Sequence, residues 1–132
     1  MKAPGRLLRD PRTWLVAFAV WFGTLWWLSS QVRHFPPGLD FQFSDKLIHF
    51  GYFLGGGFFA AAYFYRRKPE GANWDRIILL ALLVAGFTGA LDEWHQTMVP
   101  GRSGNDLPDF HADFLGSLAG AFLLRLCRRW IG

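Results

Sequence analysis

A single cysteine, Cys127, leaves no partner for an internal disulfide and fits no zinc-binding spacing, so a disulfide scaffold and a cysteine-based zinc module are both excluded. Charge is equally scarce. Asp, Glu, Lys and Arg make up 18% of the 132 residues against 52% hydrophobic ones, a balance too apolar for an ordinary small soluble domain. The net charge of +4 does not point to nucleic acid, because the basic residues fall in short clusters between apolar runs and form no stripe along a helix face. There is no HExxH pair, EF-hand loop, phosphate-cradling glycine loop or glycine elbow around Ser103, which removes the common signatures of zinc proteases, calcium sites, nucleotide binding and serine nucleophiles. No repeat or low-complexity tract is present. The stretch "WLSSQV" lacks a small-x-small cleavage site, so the basic start and the long apolar run behind it are expected to form a retained first span and not a removed leader.

What is present is a series of apolar runs. A bilayer-spanning helix needs about 20 mostly apolar residues, and four stretches come close: 13–30, 46–65, 76–99 and 110–130. The connections, 31–45, 66–75 and 100–109, each hold the Pro or Gly that ends a helix. The expected fold is therefore all-α, one domain over 1–132, a polytopic bundle of four transmembrane helices. Basic residues set its orientation. Lys2, Arg6, Arg9 and Arg12 precede the first span, Arg66, Arg67, Lys68 and Arg76 flank the second connection, and Arg125, Arg128 and Arg129 end the chain, whereas the first and third connections offer Arg33 and Arg102 alone. Both termini are expected in the cytoplasm. Trp14, Trp74 and Trp130 then fall at the inner interface and Trp26, Trp27 and Trp94 near the outer one, where amphiphilic rings settle; Trp21, mid-span, favours neither.

On this topology, three polar clusters share the outer leaflet: Asp45 to His49, Asp92 to Gln96 and Asp109 to Asp113. The opposite ends have no comparable cluster of acids and histidines and carry the basic residues that orientation explains. Residues three or four apart share a helix face, which groups Asp45 with His49, Asp92 with His95 and Gln96, Glu93 with Gln96, and Asp109 with Asp113. Glycines continue these faces inward: Gly89 before Asp92, Gly116 and Gly120 after Asp113, and Gly51, Gly55, Gly56 and Gly57 in the second span, where three in a row could also kink the helix. Ionisable side chains inside a membrane are expensive and mark function by default, although polar groups there also hold helices together.

The order "DKLIHF", then "DEWHQ" running into "PGRS", then "DFHADFLGSLAG" resembles the VanZ-like family, small bacterial membrane proteins named for a teicoplanin resistance component. The likeness covers three of the four spans. It implies a multi-pass protein of the bacterial cytoplasmic membrane whose polar positions are Asp45, Lys46, His49, Asp92, Glu93, Gln96, Arg102 and Asp109. Asp113 stands where the family often carries Asn, and His95 and His111 lie outside the shared positions.

From chemistry, Asp45 is expected to orient His49 as a base, with Asp92, Glu93 and Asp109 as acid/base groups or cation ligands. Lys46, Gln96, Arg102 and Asp113 are expected to contact substrate, the Arg102 fork taking a phosphate or carboxylate. Each has a plainer alternative: Ser44 or Asp45 capping a helix, Lys46 snorkelling, Asp109 capping span four, and Arg102 paired with Asp92, Glu93 or Asp109. A zinc or manganese site drawn from His49, Asp92, Asp109 and Asp113, with His95 or His111, is a minor alternative, and no cofactor is assigned. The expected partners are the bilayer, an amphiphilic or lipid-linked envelope molecule, to be bound or modified by hydrolysis or group transfer, and conceivably another membrane protein. The opposing expectation is a non-catalytic lipid- or drug-binding protein, or a structural partner, whose polar cluster only locks the bundle.

Overall fold

The computed structural model describes residues 5–32, 37–38 and 44–132. Lys2, Arg33 and most of the Pro- and Gly-rich first connection lie outside the described residues. A short helix α1, Arg6–Arg9, leads into α2, Pro11–Ser29, which starts where the Asp10 side chain accepts from Arg12 N at 2.8 Å and Pro11 opens the first turn. Then come α3, Ser44–Arg67; α4, Trp74–Gln96, capped by Asn73; and α5, Leu107–Cys127, which tightens into a 3₁₀ turn, Arg128–Trp130. No strand occurs among the described residues.

Two boundaries differ from expectation. "DLPD" is not loop: Asp106 caps α5, its side chain accepting from Asp109 N at 3.3 Å, so Pro108 and Asp109 lie in the first turn. The cap is thus Asp106 and not Asp109. The second is the start of α3, at Ser44, two residues before the expected 46, and the glycine run lies inside this one helix, Ser44–Arg67.

Three helices are long and apolar enough to cross a membrane by length and composition: α3, α4, and α5 with its 3₁₀ extension. The helix α2 falls short of that measure because Arg12 and four tryptophans, each with a polar indole N–H, occupy its 19 residues. Large apolar side chains such as Leu83 and Phe87 point away from the bundle.

Glycines decide how the helices meet. A Cβ on Gly116 would strike the Phe50 carbonyl, one on Gly120 the Leu54 carbonyl, and one on Gly57 the Ser117 backbone, so α3 and α5 touch backbone to backbone. Gly56 makes room for the Trp21 ring of α2. Gly51, by contrast, faces open space and takes no part in packing. Trp21 Nε1 donates to the Tyr52 carbonyl at 3.0 Å while Tyr52 Oη donates to the Trp21 carbonyl at 2.8 Å. That clasp gives the mid-span tryptophan its hydrogen bond.

The apolar core, built on Ala60, Ala61, Ala81, Ala121 and Leu124, occupies one half of the bundle. At that end Arg66 donates to the carbonyl of Arg9, at 2.9 Å from Nε, and to that of Gly132. The start of α2, the α3–α4 connection and the C-terminus are thereby tied together. The polar groups gather at the other end.

Candidate functional site

The first turns of α3 and α5 and the last turn of α4 converge, bringing the three polar clusters of the sequence to one end of the bundle. His49, 3% exposed, is the centre. Its Nδ1 lies 2.7 Å from Asp113 Oδ1, and its Nε2 lies 3.6 Å from Asp109 Oδ2 and 3.9 Å from Asp45 Oδ2. A carboxylate can only accept, so the bond to Asp113 puts a proton on Nδ1, and in the neutral form of the ring the lone pair is then on Nε2. Nε2 has no hydrogen-bond partner.

Asp113 is held from behind. A Cβ on Gly89 would come within 3.1 Å of its Oδ2, so any larger residue there would press the carboxylate to shift by a few tenths of an ångström. On the other side of His49, Lys46 Nζ sits 2.5 Å from Asp109 Oδ1 and 3.2 Å from Asp106 Oδ2. Lys46 therefore ties α3 to the start of α5. Glu93 completes this group: its Oε2 accepts from Asp106 N at 2.9 Å, while Oε1 is buried without a hydrogen bond.

Asp92 faces the opposite way, toward α2. It is fully buried, accepting from the Ser29 hydroxyl on one oxygen and from Gln96 Nε2 at 2.7 Å on the other. Gln96 Oε1 accepts from Arg102 Nη2 at 2.7 Å, and Arg102 Nη1 donates to the Gln31 carbonyl at 3.0 Å. Positive φ at Gly101, 79°, turns the chain so that Arg102 folds back over the helix ends. The result is a polar chain from α2 through α4 into the third connection.

Two cavities lie at this end of the bundle, of which the apolar one is lined by His49. A polar recess of about 170 Å³ is lined by Asp45, Gln96, Arg102, Ser103 and Asp109 with Val32 and Gly101. An apolar cavity of about 150 Å³ lies between α2 and α3, lined by Leu25, Leu28, Ile48, Tyr52 and Phe53 with His49 and Gln31. The histidine thus stands on the wall of the apolar cavity while Nε2 looks toward two acids of the polar recess.

Five expected acids are brought to this end of the bundle, but not to one point. Asp45, His49 and Asp109 form one set of possible metal donors and His49, Glu93 and Asp113 another, with donor atoms within 4.8 Å in each; Asp92, in the earlier metal set, belongs to neither. His95 leaves the cluster to stack on Trp26, ring centroids 3.9 Å apart, and His111 sits on the exposed side of α5. Sequence reasoning missed Ser29 and Asp106. The signals were there: a serine pair closing an apolar helix, and an Asp two residues before Pro108.

Fold and site together define an all-helical chain with helices able to cross a membrane and a buried acid–histidine cluster at one end. No protein-family model, curated protein or solved structure matches it.

Proposed function

We propose that this is a four-span protein of the bacterial cytoplasmic membrane, both termini cytoplasmic, whose outer end binds an amphiphilic cell-envelope molecule. The observation that carries the reading is that two cavities lie at one end of the bundle, with Val32 on the polar recess and its neighbour Gln31 on the apolar cavity: the recess, lined by Arg102 and Ser103, suits an anionic head group, and the apolar cavity suits the first part of its hydrocarbon. The motif order that resembles the VanZ-like family supports a lipid-linked precursor or lipoglycopeptide as the ligand class, with a link to teicoplanin resistance. In a catalytic version, His49 Nε2 is the base for hydrolysis or group transfer and Asp113 positions its ring. The buried Ser29–Asp92–Gln96 bonds support a structural role for Asp92 and Gln96 instead.

Topology supports the same orientation. The Arg66 contacts hold Arg9 and Gly132 at one end of the bundle, as an even number of crossings requires. Reporter fusions after residue 70 should read cytoplasmic and those after residue 105 external; the reverse, or the same side for both, would refute the arrangement.

For binding, the probe is dodecyl phosphate added to protein purified in dodecyl maltoside. A saturable rise in melting temperature is expected, weakened roughly tenfold or more in apparent affinity by Arg102→Gln, which removes the positive charge lining the recess. Equal response of wild type and variant, or no response, defeats the reading.

A further inference from the structure

We propose that Asp45, His49 and Asp109 form a divalent-cation site, zinc or manganese in character, on the wall of the polar recess. This deepens the amphiphile-binding reading by giving the recess an ion for the head group to meet, with Nε2 as a metal ligand in place of the base of the catalytic version.

The geometry begins with His49. Its buried Nε2 has no hydrogen-bond partner and lies 3.6 Å from Asp109 Oδ2 and 3.9 Å from Asp45 Oδ2, and in the neutral ring it offers its lone pair to an ion there. Both separations exceed a hydrogen bond. They approach the spacing of two donors on one tetrahedral ion, which for bonds of 2.0–2.2 Å is about 3.3 Å. Closing the difference asks for shifts of less than about 1 Å, shared between Asp45 in the first turn of α3 and Asp109 in the first turn of α5.

The surrounding contacts suit this role. Asp113 accepts from Nδ1 at 2.7 Å, the carboxylate–histidine arrangement that fixes the tautomer and ring of a metal-bound imidazole. Asp109 is divided between two tasks: Oδ1 pairs with Lys46 at 2.5 Å, leaving Oδ2 as a single-oxygen ligand. The alternative set of His49, Glu93 and Asp113 lies within 4.8 Å, but there the Asp113 bond already engages Nδ1, so Asp113 is a positioning residue.

The carboxyl groups of Asp45 and Asp109 both lie within 4 Å of Nε2, the concentration of oxygen donors a divalent ion needs beside an imidazole. One nitrogen and two carboxylate oxygens match zinc or manganese better than the all-oxygen shell of calcium or magnesium. Three protein ligands leave a position open, and since Asp45 and Asp109 line the recess, that position faces water or an anionic head group.

The test is metal binding alone, without amphiphile, on chelator-treated full-length protein in detergent. Calorimetry with Zn²⁺ and with Mn²⁺ should give one ion per chain. Asp45→Asn, at the partly exposed ligand, and Asp113→Asn should each weaken binding by roughly tenfold to a hundredfold. His49→Gln should abolish it, and His111→Asn, on the exposed side of α5, should leave it unchanged. Should His49→Gln fail to fold, Co²⁺ added to wild type should still give the visible absorption of a four- or five-coordinate ion, and Asp45→Asn should reduce it. No saturable binding by wild type, binding unaltered in Asp45→Asn, or binding lost in His111→Asn overturns the proposal. Lost metal binding with an intact dodecyl phosphate response removes the ion and keeps the amphiphile site; the opposite pattern keeps the ion and removes the amphiphile.

Discussion

Gly120→Ala should leave little folded protein, a large effect for one methyl group. The added Cβ would run into the carbonyl of Leu54 and approach Phe58 N at 2.7 Å, and neither obstacle is a side chain that can rotate away. Overpacking a well-fitted site costs about 1–3 kcal/mol when side chains absorb it; here α3 and α5 must separate, so the cost should reach or exceed the top of that range. Separation would also pull Asp109 and Asp113 on α5 from Lys46 and His49 on α3, linking a stability change to loss of the site. The comparison is Gly51→Ala on the same pair of helices. Its Cβ meets nothing within 4 Å, and alanine is the better helix former by roughly 0.5–1 kcal/mol, so that variant should be neutral or slightly stabilised. Thermal melts followed by tryptophan fluorescence decide the matter. Similar midpoints for the two variants would mean that α3 and α5 do not pack through backbone contact.

Asp92→Ala is the second large expected loss, and it separates a structural acid from the groups around His49. Both carboxylate oxygens are used, and the donors lose their partner when it is removed: the fully buried Ser29 hydroxyl and the Gln96 amide. A buried donor left unpaired costs about 1–3 kcal/mol, and breaking a buried charged network about 3–5 kcal/mol. The loss should be several kcal/mol and should spread to Arg102, which Gln96 holds at 2.7 Å. Ser29→Ala should cost less, and the double variant less than the sum, because Ser29 has no bond to lose once Asp92 is gone. Strict additivity would show that the two do not interact. His49→Gln should depart from this pattern by keeping most of the stability while losing the proposed cation, since glutamine retains a donor for Asp113.

Much of the fold was legible because the signals are local. Asp10 before Pro11, Asn73 before Trp74, and Arg66 and Arg67 closing α3 are cap and dipole choices that act within one turn. The start of α5 was misplaced by three residues because Pro108 looks like a loop residue, whereas proline belongs in a first turn once Asp106 caps it. Within the site, i, i+4 spacing placed Asp45 with His49 and Asp109 with Asp113, but spacing cannot say which of two adjacent acids faces which neighbour. Asp92 and Glu93 are about 100° apart on α4; one bonds to Ser29 of α2 and the other to Asp106 ahead of α5.

The amino-acid order alone determined the helical class, the approximate ends of the long helices and the gathering of ionisable groups at one end, since hydrophobic runs, caps and punctuation by Pro and Gly require no distant partner. Tertiary structure decided the rest: that His49 meets Asp113 and not Asp92, that Lys46 bridges Asp106 and Asp109, and that an apolar cavity lies against the same imidazole. These depend on the rotation and separation of α3, α4 and α5, which the glycine contacts set by allowing backbones to touch where any side chain would hold them apart.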